Sequence, residues 1–108
     1  MIHVTVVKKR KRYIGFDCIG HAGFAESGED IVCAGVSALV INTMNSIGCL
    51  TRAKFSAETD EDTGMIAVRF DRPANHKVRL LMDSMILGLQ GIQENYGDEY
   101  IALNFKEV

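Results

Sequence analysis

Three cysteines, Cys18, Cys33 and Cys49, are too few and too scattered to staple this chain. An odd number without an obvious pairing is expected to stay reduced, as in a cytosol, rather than build a disulfide framework. The opening residues Met1-Ile2-His3-Val4-Thr5-Val6-Val7 have no basic region ahead of an apolar run and no small-residue cleavage site. They are therefore not expected to act as a signal peptide. No apolar run is read as approaching the ~20 residues of a membrane span, so no membrane partner is expected. Low-complexity linkers and clear internal repeats are also missing.

What is present is 108 residues, 47% apolar and 24% charged, the composition of an ordinary globular protein. At this length folding buries roughly two-thirds of the surface of the unfolded chain, enough for a core. Residues 1–108 are read as one domain. The charges nearly balance, 12 basic against 14 acidic, but the basic ones are concentrated in Lys8-Lys9-Arg10-Lys11-Arg12. Such a patch attracts RNA phosphates or an acidic partner, with an affinity that falls with salt. The competing reading is a solvated hairpin tip, where water screens like charges.

Val4, Val6 and Val7, then Tyr13, Ile14, Phe16 and Ile19, form two β-rich runs around that basic segment, an opening hairpin. Apolar residues then recur at helical spacing from Ile31 through Val32, Val36, Leu39, Val40 and Met44 to Ile47, with Gly48 as the expected stop. The first helix is thus expected over 31–47. Two strand-like runs, 52–58 and 65–70, flank the acidic turn Thr59-Asp60-Glu61-Asp62-Thr63-Gly64. Val78, Leu81, Met82, Met85, Leu89 and Ile92 mark a second amphipathic helix ending near Gly97. Its Gly88 and Gly91 each cost about 1 kcal/mol relative to alanine, which points to close approach of another backbone. Residues 100–105 alternate as a closing strand. The order ββαββαβ, with single helices between hairpins, predicts an α+β fold of two helices and mostly antiparallel strands.

Candidate chemistry gathers between Gly20 and Ser37. Asp30, just before Ile31, is the expected N-cap, which places Cys33 in the first turn of the helix. A free cysteine is only about 3% thiolate at neutral pH, and the thiolate is the nucleophile. Moving such a pKa below ~7 takes about 2 kcal/mol, whereas a helix N-terminus supplies about 0.3–1 kcal/mol. A histidine can close the gap, as an imidazolium partner or as the base that takes the proton. His21 is the candidate, because His3 lies on the first strand and His76 opens the second helix. The nearby carboxylates Glu26, Glu29 and Asp30 oppose a resting thiolate, which favours a neutral pair with His21 acting as general base on substrate arrival. The N–H of Cys33 is a candidate oxyanion donor, for which an Asp30 cap would compete.

Each of these residues also has a plain structural reading. Cys33 can be a small core residue and His21 a turn residue. Ser37, one turn after Cys33, can assist the sulfur or simply ease packing. Gly20 and Gly23 can be hinges or ordinary turn glycines. Cys18 and His21 have the gap of a metal-ligand pair, with Cys33 or Cys49 as completers, but no second close pair supports zinc and no cofactor is expected.

Gly20-His21-Ala22 followed by Gly28-Glu29-Asp30-Ile31-Val32-Cys33-Ala34-Gly35-Val36-Ser37 resembles the signature of the bacterial ribosomal-processing cysteine protease family, Prp. The element order across the whole chain agrees with that resemblance. It implies that His21 and Cys33 form a catalytic pair, with Gly20, Asp30 and Ser37 in supporting places. It also implies the reaction: removal of a short N-terminal extension from a large-subunit ribosomal protein, cut after an aromatic residue, by a small cytoplasmic homodimer. Gly35 departs from the pattern, standing where alanine is expected in many relatives. The rival readings are a non-enzymatic ribosome-associated factor using the basic hairpin for RNA, and a thiol redox sensor in which Cys18 or Cys49 resolves an oxidised Cys33.

Overall fold

A computed structural model describes residues 1–20 and 27–108, with the backbone alone for 27–30. Ile2, Val4 and Val6 are buried while His3 is exposed, the period-two pattern of a strand with one covered face. This strand, β1 (Ile2–Lys9), pairs antiparallel with β2 (Arg12–Ile19), His3 opposite Ile19 and Lys9 opposite Arg12. Two residues turn the hairpin, Arg10 at φ 51° and Lys11 at φ 67°. Positive φ at both central positions matches the twist of a two-residue hairpin, at a cost of roughly 1–2 kcal/mol for each side chain forced into it.

After the first helix, α1 (Ser27–Leu50), come β3 (Phe55–Asp60), β4 (Met65–Phe70), α2 (His76–Tyr96) and β5 (Ile101–Glu107). The expected order ββαββαβ is the observed one. The sheet runs β3-β4-β2-β1-β5, with three antiparallel pairs and one parallel pair, β1 with β5. The parallel pair follows from direction: β4 and β1 point the same way, and α2 carries the chain back to the far edge, so β5 must run alongside β1. β3 starts later than the 52–58 reading. Thr51 is the reason, since its hydroxyl donates to the Ile47 carbonyl and accepts from the Ala53 N–H, holding 51–53 as a cap.

One face of the sheet is covered by both helices. Val4, Val6, Phe16, Cys18, Val68 and Ile101 meet Val32, Val36 and Val40 of α1 and Met82, Met85 and Leu89 of α2 in a single core. Phe16 and Phe70 meet edge to face at 6.5 Å. On the opposite face Arg69 grips Asp17 through two hydrogen bonds, at 2.7 and 3.0 Å.

Two expectations about α1 are corrected. The helix opens at Ser27, so Asp30 is its fourth residue and not its N-cap. It also runs through Gly48 to Leu50, because the glycine lies against the Phe55 ring, 3.5 Å from where a Cβ would stand, and Thr51 does the capping. The membrane-span reading is corrected as well. Ile31–Leu50 has a mean hydropathy of 1.5 over a window long enough to cross a membrane, although Asn42, Thr43 and Asn45 interrupt its run. Its buried valines account for part of that apolarity. An outward stripe at heptad spacing, Ile31, Ala34, Ala38 and Ile41, accounts for more.

The second helix begins as its sequence suggests. The Asn75 side chain accepts from the N–H groups of Lys77 and Val78, satisfying two of the donors that a helix start leaves open. Gly88 does mark a close approach, but to a side chain: a Cβ there would stand 2.8 Å from Leu39 Cδ1. Gly91 has nothing within 4 Å, so the close-backbone reading fails at both glycines.

Candidate functional site

The strand directions sort the chain into two ends. At one lie the end of β2, the start of α1, the β3–β4 turn and the end of α2; at the other lie the β1–β2 hairpin, the end of α1 and the start of α2. The first end carries the motif. Gly20 leaves β2 at φ 103°, its N–H donates to the Thr63 carbonyl at 3.2 Å, and a Cβ on it would stand 2.6 Å from the Met1 carbonyl oxygen. Conformation and space both demand glycine at this position. Its place is thus fixed by the acidic turn and the N-terminus, a link no local pattern announces. His21, Gly23 and Glu26 fall outside the described residues, as do the side chains of Glu29 and Asp30.

The three thiols stand in different surroundings. Cys18 faces the core from β2, 4% exposed, and its pKa is pushed up to about 11, first by burial and then by the charge of Cys33. It stays a thiol at neutral pH. Cys33 is half-buried on α1, packed at the margin of the core beside Cys18. Cys49 is exposed near the end of the same helix. Sixteen residues of helix put it about 24 Å from Cys33, so Cys49 cannot resolve an oxidised Cys33 within one chain. Only Cys33 combines access with a place at the motif end.

The longer helix changes how Cys33 would be activated. As the seventh helical residue it sits about 9 Å along the axis from Ser27, beyond the first turn where the dipole acts. The open N–H donors of α1 belong to residues 27–30, so the expectation that the Cys33 N–H serves an oxyanion is also corrected. Help from the helix end is weaker than the first-turn reading assumed, and the demand for a basic partner is correspondingly stronger. Ser37 is half-buried one turn further on. Among the described residues no cluster of His, Cys, Asp and Glu could hold a metal ion.

Among the described residues a cavity lies at the other end. It has a volume of about 720 Å³ and is lined by Arg12, Arg52, Lys54, Asp71, Arg72 and Asn75 over a floor that includes Phe70. A smaller one beside it, about 350 Å³, reaches Tyr13 and Asp83. The Tyr13 hydroxyl donates to Asp83, and its pKa is pushed up to about 12 by burial, then by that hydrogen bond.

Comparison with known proteins agrees with the motif and the fold. The family model for cysteine protease Prp matches residues 1–102. The ribosomal processing cysteine protease Prp of Bacillus subtilis (strain 168) is 36% identical over 103 residues, covering 91% of this chain and 92% of that protein. A crystal structure of the ribosomal processing protease Prp from S. aureus with a covalently linked product peptide superposes with a TM-score of 0.86 at 34% identity, covering 98% of this chain and 100% of that one. The same protease with a substrate peptide gives 0.89 at 33% identity, with the same coverage. Family match, curated relative and solved structures each span nearly the whole chain, and the chain belongs to the cysteine protease Prp family.

Proposed function

We propose that this chain is a cysteine endopeptidase that removes a short N-terminal extension from a large-subunit ribosomal protein. Cys33 Sγ attacks the peptide carbonyl while His21 takes the thiol proton and then gives it to the leaving amine; water hydrolyses the thioester. The observation that carries the reading is the contrast among the thiols, in which Cys33 is accessible at the motif end, Cys18 is buried and protonated, and Cys49 is remote. A covalently held product peptide in a relative of this fold is the kind of species such a nucleophile forms. Gly20 serves as the fixed exit from β2, and Asp30 and Ser37 are supporting residues carried by α1.

The catalytic unit in this reading is one domain, residues 1–108, acting in the cytoplasm as a homodimer. The exposed stripe Ile31, Ala34, Ala38 and Ile41 supports the dimer, since a second copy would cover its apolar surface. Contact with RNA through Lys8, Lys9, Arg10, Lys11 and Arg12 completes the set of partners.

The test mixes the purified protein with the host's full-length ribosomal protein precursor and follows the N-terminus by mass spectrometry. Wild type removes a short extension, whereas Cys33→Ala and His21→Ala leave it in place. Full cleavage by a folded Cys33→Ala would refute the assignment.

A further inference from the structure

Every lysine and arginine of the chain lies in the half of the molecule opposite Cys33, with Arg69, level with Lys106 along the sheet, paired to Asp17. The run Lys8 to Arg12 is the part visible in the sequence. The fold brings Arg52 and Lys54 from beyond α1, Arg72 from beyond β4, Lys77 and Arg79 from the first turn of α2, and Lys106 from the end of β5 to the same place. The motif end is the reverse: Asp60, Glu61, Asp62, Glu94, Asp98 and Glu99 gather there among the described residues, without a lysine or arginine. A chain with nearly balanced charges is therefore strongly bipolar.

Of the acids at the basic end Asp83 and Glu107 are engaged, while Asp71 lines the cavity as one carboxylate among four cations. Asp83 accepts from Tyr13 and faces Arg79 at 3.9 Å, and Glu107 accepts from the Lys11 N–H. Among the described residues Lys9, Arg10, Arg52, Lys54, Arg72 and Lys77 are exposed and have no ion-pair partner. Arg12 is held in place instead, its guanidinium donating to the carbonyls of Pro73 and Ala74. It forms one wall of the 720 Å³ cavity that Arg52, Lys54 and Arg72 share. Unpaired like charges around a concavity repel one another and raise the local concentration of anions.

We infer that this basic end is a docking surface for RNA, separate from the cysteine end. RNA is favoured over an acidic protein because the cations do not converge on one point. They are spread over an end of a molecule whose two shorter extents are 26 Å each, and a phosphate backbone offers charge continuously over such a distance. Arginines dominate the cavity, and their planar forks suit phosphate oxygens. About 25 Å of α1 separate Cys33 from Leu50, so RNA at one end leaves the other open to a peptide. That last consequence rests on the proposed protease function; the RNA contact itself does not.

The test measures anisotropy of a labelled RNA stem–loop titrated with full-length protein. Wild-type affinity is expected to fall about 100-fold between about 50 and 200 mM salt, the response of roughly four phosphate contacts. Arg52→Glu/Lys54→Glu/Arg72→Glu is expected to bind at least about tenfold more weakly at the lower salt. Lys9→Glu/Lys77→Glu, away from the cavity, serves as the second variant should the triple one not fold. Cys33→Ala binds as wild type does, which separates this result from any failure of the protease assignment. Undiminished RNA binding by both folded reversal variants overturns the inference. So does competition by polyglutamate as effective as that by unlabelled RNA, which would mark the surface as a dock for acidic protein.

Discussion

Gly20 and Thr63 are joined by a backbone hydrogen bond of 3.2 Å that ties the exit of β2 to the acidic β3–β4 turn. The Gly20→Ala substitution must hold an L side chain at φ 103° and move its Cβ away from the Met1 carbonyl oxygen. The expected loss is about 2 kcal/mol, read from urea denaturation, with activity falling further than stability because the segment bearing His21 starts there.

Cys18 supplies a pH signature. Its pKa rises from 9.0 in the free side chain to about 11 in the fold, so the folded state keeps a proton that the unfolded chain releases from about pH 9. Stability from this group is intact below pH 9 and is lost as pH climbs through 11, by about 2–3 kcal/mol. Tyr13, pushed up to about 12, adds a second loss that begins at its unfolded value of 10. Urea midpoints across that window should show a shallower decline for Cys18→Ala than for wild type. Equal slopes would mean that the thiol is not shielded.

The helix glycines separate packing from propensity. Gly91→Ala meets open space and should gain about 1 kcal/mol, raising Tm by about 4 °C or more. Gly35→Ala brings a Cβ into ordinary contact with Ile92 Cδ1 at 3.4 Å and should also stabilise. Gly88→Ala presses on both Leu39 methyls, at 2.8 and 3.0 Å, and should be less stable than Gly91→Ala by about 1 kcal/mol. Differential scanning calorimetry of the three variants gives the ranking directly.

Asn75 tests the start of α2. Asn75→Ala removes the acceptor for the Lys77 and Val78 N–H groups and should cost about 1 kcal/mol. Asn75→Asp keeps an acceptor and adds charge favourable to a helix start, so it should hold or exceed wild-type stability. A chemical denaturation series that shows no loss for Asn75→Ala would remove the cap from the account.

The sequence by itself determined the elements and the family. Period-two valines specify β1, three-and-four spacing specifies both helices, and the stretch from Gly20 to Ser37 carries the family signature; these are signals between near neighbours. Its failures were at boundaries. Asp30 looks like a cap and Gly48 like a stop, yet α1 runs from Ser27 to Leu50, and at Gly48 packing against Phe55 outweighs a preference of about 1 kcal/mol. Tertiary structure alone decided that β5 runs parallel to β1, that Cys18 lies buried beside Cys33, and that Arg52, Lys54 and Arg72 join Arg12 around one cavity. Each of these depends on contacts between residues far apart in the chain, whose meeting is fixed by strand direction and helix length and leaves no local pattern to read.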